Sequence, residues 1–470
     1  MKDLSHVEPS ATGNGTPYSD EEAPIGEVAA EASVEWLPRS WRGCYNPKLS
    51  AEELRATFAS AKGAQQMKTP SLNRCGLFAC FVMLTACSQA PGLSRLQYAP
   101  SIVSNHKAGR LSSYLSLYSF GADPDGSEPA AGVLSRGDLP IYGTTAFGGA
   151  DNSGTVFSYS GGTDTVLHSF RGRDGARPLA GLIDVKGTFY GTTYFGGSGN
   201  CVGGCGVVFS ITPDGTEKVL HNFGVNGSDG TRPEASLIDV SGTLYGTTLE
   251  GGARDRGTAF SVTTDGTERV LHSFGYYEDG YWPMVPLIDV SGTLYGTTYA
   301  GGAGRFGTVF SMAADGTEKV LHSFSNAQDG KYPRAPLINV NGKLYGTTES
   351  GGAFRGGTVF DVSTDGHETV LHSFGNGYDG VRPEAGLRDM NGTLYGTTAD
   401  GGAYGSSYNQ HGFGTVFSIT PGGHETVLHS FGDGYDGAHP EAGLRDVSGM
   451  GLIGTTRYGG VYGRGTVFEL

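Results

Sequence analysis

The sequence is poor in charge, in basic patches and in long apolar runs. Only 17% of its 470 residues are charged, and the formal net charge is −15. Phosphate binding requires a basic stripe, so this balance argues against nucleic acid as a partner. No apolar run reaches the roughly 18 residues that a membrane-spanning helix needs, which excludes a conventional span but not a membrane anchor.

The first 110 residues differ from the rest of the chain. Residues 1–66 are rich in Glu, Ala, Ser, Gly and Pro and lack lasting periodicity, which predicts a mostly disordered extension. Residues 67–74 are basic, residues 75–84 are apolar, and Leu84–Cys87 ends this stretch with small residues, in the layout of a signal peptide. Residues 88–110 are then a linker to the repeat region.

The tetrapeptide Leu84–Cys87 resembles the lipobox of bacterial lipoproteins, in which a peptidase cuts before the cysteine and the new N-terminal residue carries lipid. Cys87 would be that lipidated residue, and the protein would be exported and lipid-anchored at the cell envelope. Because a signal peptide is recognised at an N-terminus, we interpret Met67 as the true start and residues 1–66 as an over-extended gene model. The alternative to a signal peptide is that the apolar run of residues 75–84 forms a buried hydrophobic hairpin or helix.

Cysteine is scarce, with six residues in the whole chain. Processing would remove Cys44, Cys75 and Cys80 and would lipidate Cys87, which leaves one pair, Cys201 and Cys205. A single pair in an exported protein predicts a disulfide, here closing a small loop. A metal site would need further ligands, and no His or Cys clusters beside this pair in sequence.

Glycine, in contrast, is abundant, with 80 residues in the whole chain, and the sequence after about residue 110 repeats every 50 residues or so. Tyr-Gly-Thr-Thr or Ile-Gly-Thr-Thr occurs seven times, and Leu-His-Ser-Phe or a close variant also occurs seven times. Each period contains four short β-prone runs, which we call a, b, c and d. Asn-Gly or Ser-Gly turns link a to b, and Asp-Gly turns link c to d, so each period predicts a four-stranded meander.

These counts predict an all-β, seven-bladed β-propeller of four-stranded blades over residues 111–470. The region begins with a lone d-type strand, Leu111–Phe120, and ends with a c-type strand, Gly465–Leu470. Pairing them would complete blade seven and close the ring, which removes open sheet edges. An open β-solenoid is the alternative, but it leaves this divided unit unexplained.

The repeat is also similar to a known family. The run from Gly292 to Thr298, followed by Gly301–Ala303, Gly307–Ser311 and Asp315–Phe324, resembles the Gloeo_Verruco tandem repeat of the choice-of-anchor GloVer-containing proteins. The similarity covers about residues 117–470. It implies bacterial surface display through an envelope anchor, and it implies no reaction.

Two repeated motifs contain groups that could bind metal, but their repetition favours a structural role. Six of the seven d strands carry a histidine, and Tyr118 occupies the seventh position, where it could hydrogen-bond but would be a poor metal ligand. Asp-Gly-x-x-Pro recurs seven times at the crossovers between blades, where a calcium rim is conceivable but turn capping is the simpler interpretation. We therefore expect no metal, no cofactor and no catalytic residue among these motifs.

The informative positions are those that vary within the repeat. The residue before the crossover proline changes from blade to blade and is often arginine or aromatic. Strand direction places all crossovers and all b–c loops on one face. The candidate ligand-binding residues are Arg177, Arg232, Trp282, Tyr332, Arg382 and His439.

We therefore expect a monomeric surface lipoprotein that binds a glycan or protein ligand on this face, with an acidic glycan or peptide favoured by the arginines. A polysaccharide lyase or hydrolase is the second hypothesis, since Glu128, Asp255, Glu278 and His411 are unrepeated, but they share no recognisable spacing. A structural or adhesive display module is the third. The sequence favours binding over catalysis.

Overall fold

The computed structural model describes residues 114–121, 125–275, 278–325, 328–404, 412–432 and 435–470. The predicted extension, signal peptide, lipidation site and linker lie outside these ranges. Within them all regular structure is β, and no helix is long and apolar enough to cross a membrane.

The strands form seven antiparallel blades, which confirms the predicted seven-bladed β-propeller. Blade 1 contains Ile141–Thr145, Thr155–Ser160 and Thr163–Ser169, and a single bridge between Leu134 and Tyr142 replaces its strand a. Blade 2 contains Ile183–Val185, Thr188–Thr193, Val207–Ile211 and Glu217–Asn222. Blade 3 contains Ile238–Val240, Thr243–Thr248, Thr258–Thr263 and Glu268–Ser273. Blade 4 contains Ile288–Val290, Thr293–Thr298, Thr308–Met312 and Glu318–Ser323.

The remaining blades follow the same order. Blade 5 contains Ile338–Val340, Lys343–Thr348, Thr358–Val362 and Glu368–Ser373. Blade 6 contains Arg388–Met390, Thr393–Thr398, Thr415–Ile419 and Glu425–Ser430. Blade 7 contains Arg445–Val447, Gly451–Thr456, Thr466–Glu469 and, as its strand d, Leu115–Ser119.

The N-terminal strand closes the ring, as the sequence predicted. Leu115–Ser119 pairs antiparallel with Thr466–Glu469, with Leu115 opposite Glu469 and Ser119 opposite Thr466. Phe120, directly after the strand, is fully buried and packs edge-on against Phe157 of blade 1. The first strand of the propeller therefore joins the last blade to the first.

The seams between blades explain why the repeat tolerates little change. Phe324 ends strand d of blade 4 and meets Phe360 of blade 5 edge-on, with 5.2 Å between ring centroids. A Cβ added at Gly346 would lie 2.7 Å from the Phe360 ring, so the glycine of Tyr-Gly-Thr-Thr makes room for this aromatic pair. The Thr347 hydroxyl donates a hydrogen bond to the Pro383 carbonyl of blade 6. Each repeat thus packs on its neighbours as much as on itself.

The crossovers and the b–c loops share one face, which confirms the prediction from strand direction. The first variable residue of every crossover pairs with a residue of the following b–c loop. These pairs are Ser127–Phe147, Ala176–Phe195, Thr231–Glu250, Tyr281–Ala300, Lys331–Ser350, Val381–Asp400 and Ala438–Tyr458. We call this side of the propeller the crossover face.

Candidate functional site

The second variable crossover residue has the same backbone geometry in every blade. All seven have a positive φ between 53° and 61°. In the example of Arg382, its N–H donates to the Gly356 carbonyl of blade 5, and its own carbonyl accepts from the Ala399 N–H of blade 6. Each residue is therefore held between two blades, which fixes where its side chain leaves the backbone. The seven are Glu128, Arg177, Arg232, Trp282, Tyr332, Arg382 and His439.

Two of the three candidate arginines already have carboxylate partners. Arg232 pairs with Glu250 at 2.7 Å. Arg382 pairs with Asp400 at 2.9 Å and also contacts Glu384. Arg177 instead lies over the Phe147 ring, with its guanidinium carbon 4.3 Å from the ring centroid. Internal carboxylates therefore neutralise the guanidinium groups of Arg232 and Arg382.

The other three candidates are also packed against neighbours. Tyr332 stacks on Tyr299 with 4.9 Å between centroids, and Trp282 meets Tyr281 edge-on at 4.9 Å. His439 lies 2.9 Å from an Asp400 carboxylate oxygen, and this hydrogen bond raises the pKa of His439. The six candidates thus line the crossover face, but each is built into its own blade junction.

A cavity of about 610 Å³ opens among the innermost parts of the blades. The residue that follows the crossover proline lines this cavity in every blade, and its chemistry varies between blades. The seven residues are Ala130, Leu179, Glu234, Met284, Arg334, Glu384 and Glu441.

Arg334 is the centre of a charged cluster in this cavity. Its guanidinium lies 3.4 Å from Glu384, 3.9 Å from Glu234 and 3.9 Å from Glu349. Burial raises the pKa of Glu234 and of Glu384, and the nearby arginines oppose that shift. These contacts join blades 3, 5 and 6 through charged side chains that not every blade carries.

A second charged group lies on the side of blades 7 and 1. Arg457 pairs with Glu441 at 2.9 Å and with Glu128 at 3.2 Å. Of the four unrepeated groups considered from the sequence, Glu128 therefore reaches the wall of the cavity region. Asp255 instead accepts a hydrogen bond from the Gly251 N–H in its own loop, and His411 lies outside the described residues.

The sequence analysis missed Arg334 and its glutamates, although a signal was available. It compared residues before the crossover proline, whereas the cavity is lined by residues after it. The position after the proline varies between apolar, acidic and basic side chains within an otherwise constant repeat. Such variation was the criterion that selected the crossover residues before the proline, and it applies equally to this position.

Exposed aromatic side chains form a second unrepeated feature, which we call the aromatic arc. They occur in the b–c loops and crossovers of blades 5, 6 and 7. Its members, with their exposed fractions, are Phe354 52%, Tyr378 70%, Tyr404 56%, Tyr435 69% and Tyr462 64%. The equivalent loop positions in blades 1 to 4 are Asp151, Gly199, Arg254 and Gly304. The arc therefore covers one side of the crossover face.

The repeated histidines face carboxylates across the seams between blades. His372 Nε2 lies 3.1 Å from the crossover Asp379, and Glu425 of the next blade faces both. The same His, Asp and Glu arrangement recurs at the seams from blades 1–2 to 5–6. At the closing seam the Tyr118 hydroxyl donates to Asp125 at 2.7 Å, so tyrosine replaces histidine as an aspartate partner.

These seams predict that acid stabilises the propeller. Glu318, Glu368 and Glu425 each have a pKa raised to about 7, first by burial, with the preceding blade's Asp279, Asp329 and Asp379 adding to the rise. The histidines that contact these three aspartates are His272, His322 and His372. The pKa of each glutamate is higher in the folded protein than the unfolded value of about 4.5. The stability that each protonated glutamate contributes is therefore complete below pH 4.5 and is lost as pH rises through 7. Each site is half exposed, so we expect about 1 kcal/mol or less from each.

We therefore expect the melting temperature to fall between about pH 5 and pH 8. Replacing Glu318, Glu368 and Glu425 by Gln should make that profile shallower, because Gln cannot ionise. Thermal denaturation across the pH range, with EDTA present throughout, measures the difference. An equally steep profile in the triple variant would show that other groups are responsible.

Comparison with a solved structure supports the fold. Virginiamycin B lyase from Staphylococcus aureus is similar at a TM-score of 0.50 and 12% identity, over 76% of this chain and 98% of that chain. PorZ, a surface component of the type-IX secretion system of Porphyromonas gingivalis, is similar at a TM-score of 0.44 and 13% identity, over 73% of this chain and 46% of that chain. No curated protein matches the chain.

The family model described as the Gloeobacter/Verrucomicrobia repeat matches residues 106–238 and 198–408. These two ranges together cover more than half of the 470 residues. They contain the markers on which the resemblance was noticed in the sequence. The chain therefore belongs to the Gloeobacter/Verrucomicrobia repeat family.

Proposed function

We propose that this protein is a lipid-anchored, monomeric propeller of the bacterial cell envelope that binds a glycan on its crossover face. The aromatic arc of blades 5 to 7 is the observation that carries the proposal. Exposed aromatic rings at equivalent positions of consecutive blades are absent from the described loops of blades 1 to 4. Such a patch marks a binding surface rather than a requirement of the fold.

The chemistry of the arc suits sugar rings. Tyrosine presents an apolar face to stack against a sugar while its hydroxyl stays in water. Tyr404 lies directly over Gly432, because a Cβ added there would be 2.1 Å from the tyrosine ring. The loop aromatic of blade 6 thus lies beside the crossover that carries Tyr435. An arrangement repeated from blade to blade matches a polymer of repeating units.

The inner part of the same face supplies polar groups of both signs. Glu234, Glu441 and Arg334 line the cavity, and the Arg177 guanidinium lies over an aromatic ring beside it. Carboxylates and guanidinium groups accept from and donate to sugar hydroxyls, respectively. Because carboxylates already neutralise Arg232 and Arg382, this face favours an uncharged glycan over an acidic one.

The six crossover candidates then take different roles. Arg177, Trp282 and Tyr332 offer ring or guanidinium faces to the inner end of the glycan. Arg232, Arg382 and His439 hold the loops in place through Glu250 and Asp400.

A glycan array probed with the full-length protein identifies the ligand. We expect Tyr378→Ala, Tyr404→Ala and Tyr435→Ala together to weaken its binding at least tenfold, since each stacking contact contributes about 0.5–1.5 kcal/mol. Titration calorimetry measures the change. Melting temperature should move little, because all three rings are exposed.

Val202 and Val225 provide the control, since both are exposed apolar residues on the crossover face at blade 2. Val202→Ala with Val225→Ala should leave affinity unchanged. If the control variant loses binding and the tyrosine variant keeps it, the ligand lies elsewhere on the face. If no glycan binds with a Kd below about 1 mM, the display-module or protein-ligand hypotheses take precedence.

The proposed anchor is Cys87, which lies outside the described residues. We expect intact-mass measurement of membrane-extracted protein to show a chain that begins at a lipidated Cys87. A Cys87→Ser variant should leave the membrane fraction. An unmodified full-length chain in the cytosol would contradict both the anchor and export.

Catalysis on polysaccharide is a second candidate function, because Arg334 gathers Glu384, Glu234 and Glu349 within 4 Å in the cavity. A buried glutamate with a raised pKa can act as a general acid. Release of new sugar ends from the bound glycan, lost in Glu234→Gln but not in the tyrosine variant at saturating ligand, would support an enzyme. A stable complex without product supports binding alone.

A further inference from the structure

The seam between blades 2 and 3 departs from the pattern of the other seams. Here His221 Nε2 lies 3.3 Å from Asp229 Oδ2, and Glu268 of blade 3 faces both. The three ligating atoms all lie within 4.8 Å of one another. The histidine and aspartate are eight residues apart, compared with six at the first seam and seven at the seam of blades 3–4.

The crossover aspartates differ in which carboxylate oxygen accepts the backbone N–H. At four other seams, the aspartate Oδ1 accepts a backbone N–H, from Arg171, Gly275, Gly375 and Gly432, respectively. At this seam, as at Asp125 and Asp329, the backbone N–H donates to Oδ2, the oxygen nearest the paired ring, and the Gly224 N–H lies 3.0 Å from Asp229 Oδ2. Among the described crossover aspartates, Asp229 alone has a buried carboxylate oxygen, Oδ1, without a hydrogen-bond partner.

Burial makes an unpartnered carboxylate oxygen energetically unfavourable. The Asp229 side chain is 2% exposed, whereas the equivalent aspartates with printed values range from 11% to 22%. Glu268 Oε1 is likewise buried and has no partner. A desolvated carboxylate oxygen that lacks a donor is strongly unfavourable unless a cation or a proton compensates it.

The only disulfide among the described residues supports this loop. Cys201 and Cys205 are bonded in the b–c loop of blade 2. A Cβ added at Gly224 would lie 2.2 Å from Cys205 Sγ, so the disulfide packs directly on the segment between His221 and Asp229. A crosslink next to this seam fixes the spacing of its donor atoms.

From this geometry we propose that His221, Asp229 and Glu268 bind a divalent transition-metal ion, of which Zn²⁺ is the best fit. One imidazole nitrogen and two carboxylate oxygens form a donor set that Zn²⁺ accepts, while Ca²⁺ and Mg²⁺ prefer oxygen ligands alone. The cation offsets two carboxylates that otherwise face each other across the seam. Water completes its coordination, since His221 is partly exposed.

The seam between blades 1 and 2 shows why we infer a single metal site. His168, Asp174 and Glu217 also come within 4.8 Å of one another. However, Asp174 Oδ1 accepts the Arg171 N–H at 2.7 Å, and the Asp174 side chain is 22% exposed. That seam therefore lacks the buried, unpartnered aspartate oxygen, and we infer one site rather than two.

The experiment measures zinc retained by the untagged full-length protein. The protein is stripped with chelator, loaded with ZnCl₂, dialysed and analysed by mass spectrometry of the metal. Asp229→Asn and Glu268→Gln should each lose one equivalent relative to the unsubstituted chain, and zinc should no longer raise their melting temperature. The matched variants at the next seam, Asp279→Asn and Glu318→Gln, should retain it.

Two results would overturn the proposal. In the first, the site variants retain as much zinc and show the same thermal shift as the unsubstituted protein. In the second, Asp174→Asn or the matched variants lose the equivalent while Asp229→Asn keeps it. The control variants carry the same chemical changes at equivalent positions, so general destabilisation of a seam would affect both sets alike and would also count against the proposal.

Discussion

Deleting residues 111–120 should lower the melting temperature by at least about 10 °C and should make the protein associate as its concentration rises. The deletion removes strand d of blade 7 and uncovers the edge of Thr466–Glu469, whose backbone groups now pair with Leu115–Ser119. An open strand edge pairs readily with another chain. It also removes Phe120, which is fully buried between blades 7 and 1.

A single substitution separates these two contributions. Phe120→Ala keeps the strand but empties the seam, which costs about 3–5 kcal/mol for a buried phenylalanine. We expect that variant to be destabilised but monomeric, whereas the deletion also associates. Size-exclusion chromatography and thermal denaturation measure both effects. Deleting ten residues upstream, 98–107, is the control, and equal behaviour of the two deletions would show that the strand does not close the ring.

The closure could be predicted from the sequence because the repeat is divided between the two ends of the region. The region begins with a single d-type strand and ends with a unit that has no strand d. Pairing of these two parts completes the last blade and closes the ring. Similarly, the constant glycine and phenylalanine positions mark the seam contacts, such as Gly346 against Phe360. Contacts that recur in every blade can therefore be predicted from the constant positions of the repeat.

Contacts between motifs of different blades could not be predicted in the same way. The histidine of strand d, the crossover aspartate and the glutamate of the next blade look like three separate markers in sequence. The structure brings them together because blade rotation places the end of one outer strand beside the start of the next. Asp229 Oδ1 is buried without a hydrogen-bond partner because of the local geometry of its crossover, and no residue pattern records that geometry.

The cavity cluster was hidden for a further reason. Arg334 belongs to blade 5 and Glu234 to blade 3, so their contact joins two blades that are not consecutive in sequence. Nothing in a linear period indicates which inner residues face each other across an axis. The signal that remained was compositional, since the position after the crossover proline changes charge between blades.

Removing the arginine of this cluster should destabilise the propeller strongly at alkaline pH. In Arg334→Gln, the carboxylates of Glu384, Glu234 and Glu349 lose the cation that they surround. Breaking a buried ion pair by deleting one partner costs about 3–5 kcal/mol, and partial exposure of Arg334 reduces this to about 2–3 kcal/mol. Arg173→Gln, at an exposed crossover position, is the control and should change the free energy of unfolding by less than about 0.5 kcal/mol.

The pH dependence identifies the cause of that loss. Burial already raises the pKa of Glu384 and Glu234, and removing Arg334 raises both further because the arginine opposes the shift. A carboxyl whose folded pKa lies above its unfolded value loses stability as pH rises through the folded pKa. Urea denaturation should therefore show a large difference between Arg334→Gln and the unsubstituted protein near pH 8 and a small one near about pH 5. Adding Glu384→Gln should restore part of the stability at pH 8, since one of the uncompensated carboxylates is gone. A loss that is equal at both pH values, or that Glu384→Gln worsens, would mean that Arg334 stabilises the cavity by packing and not by charge.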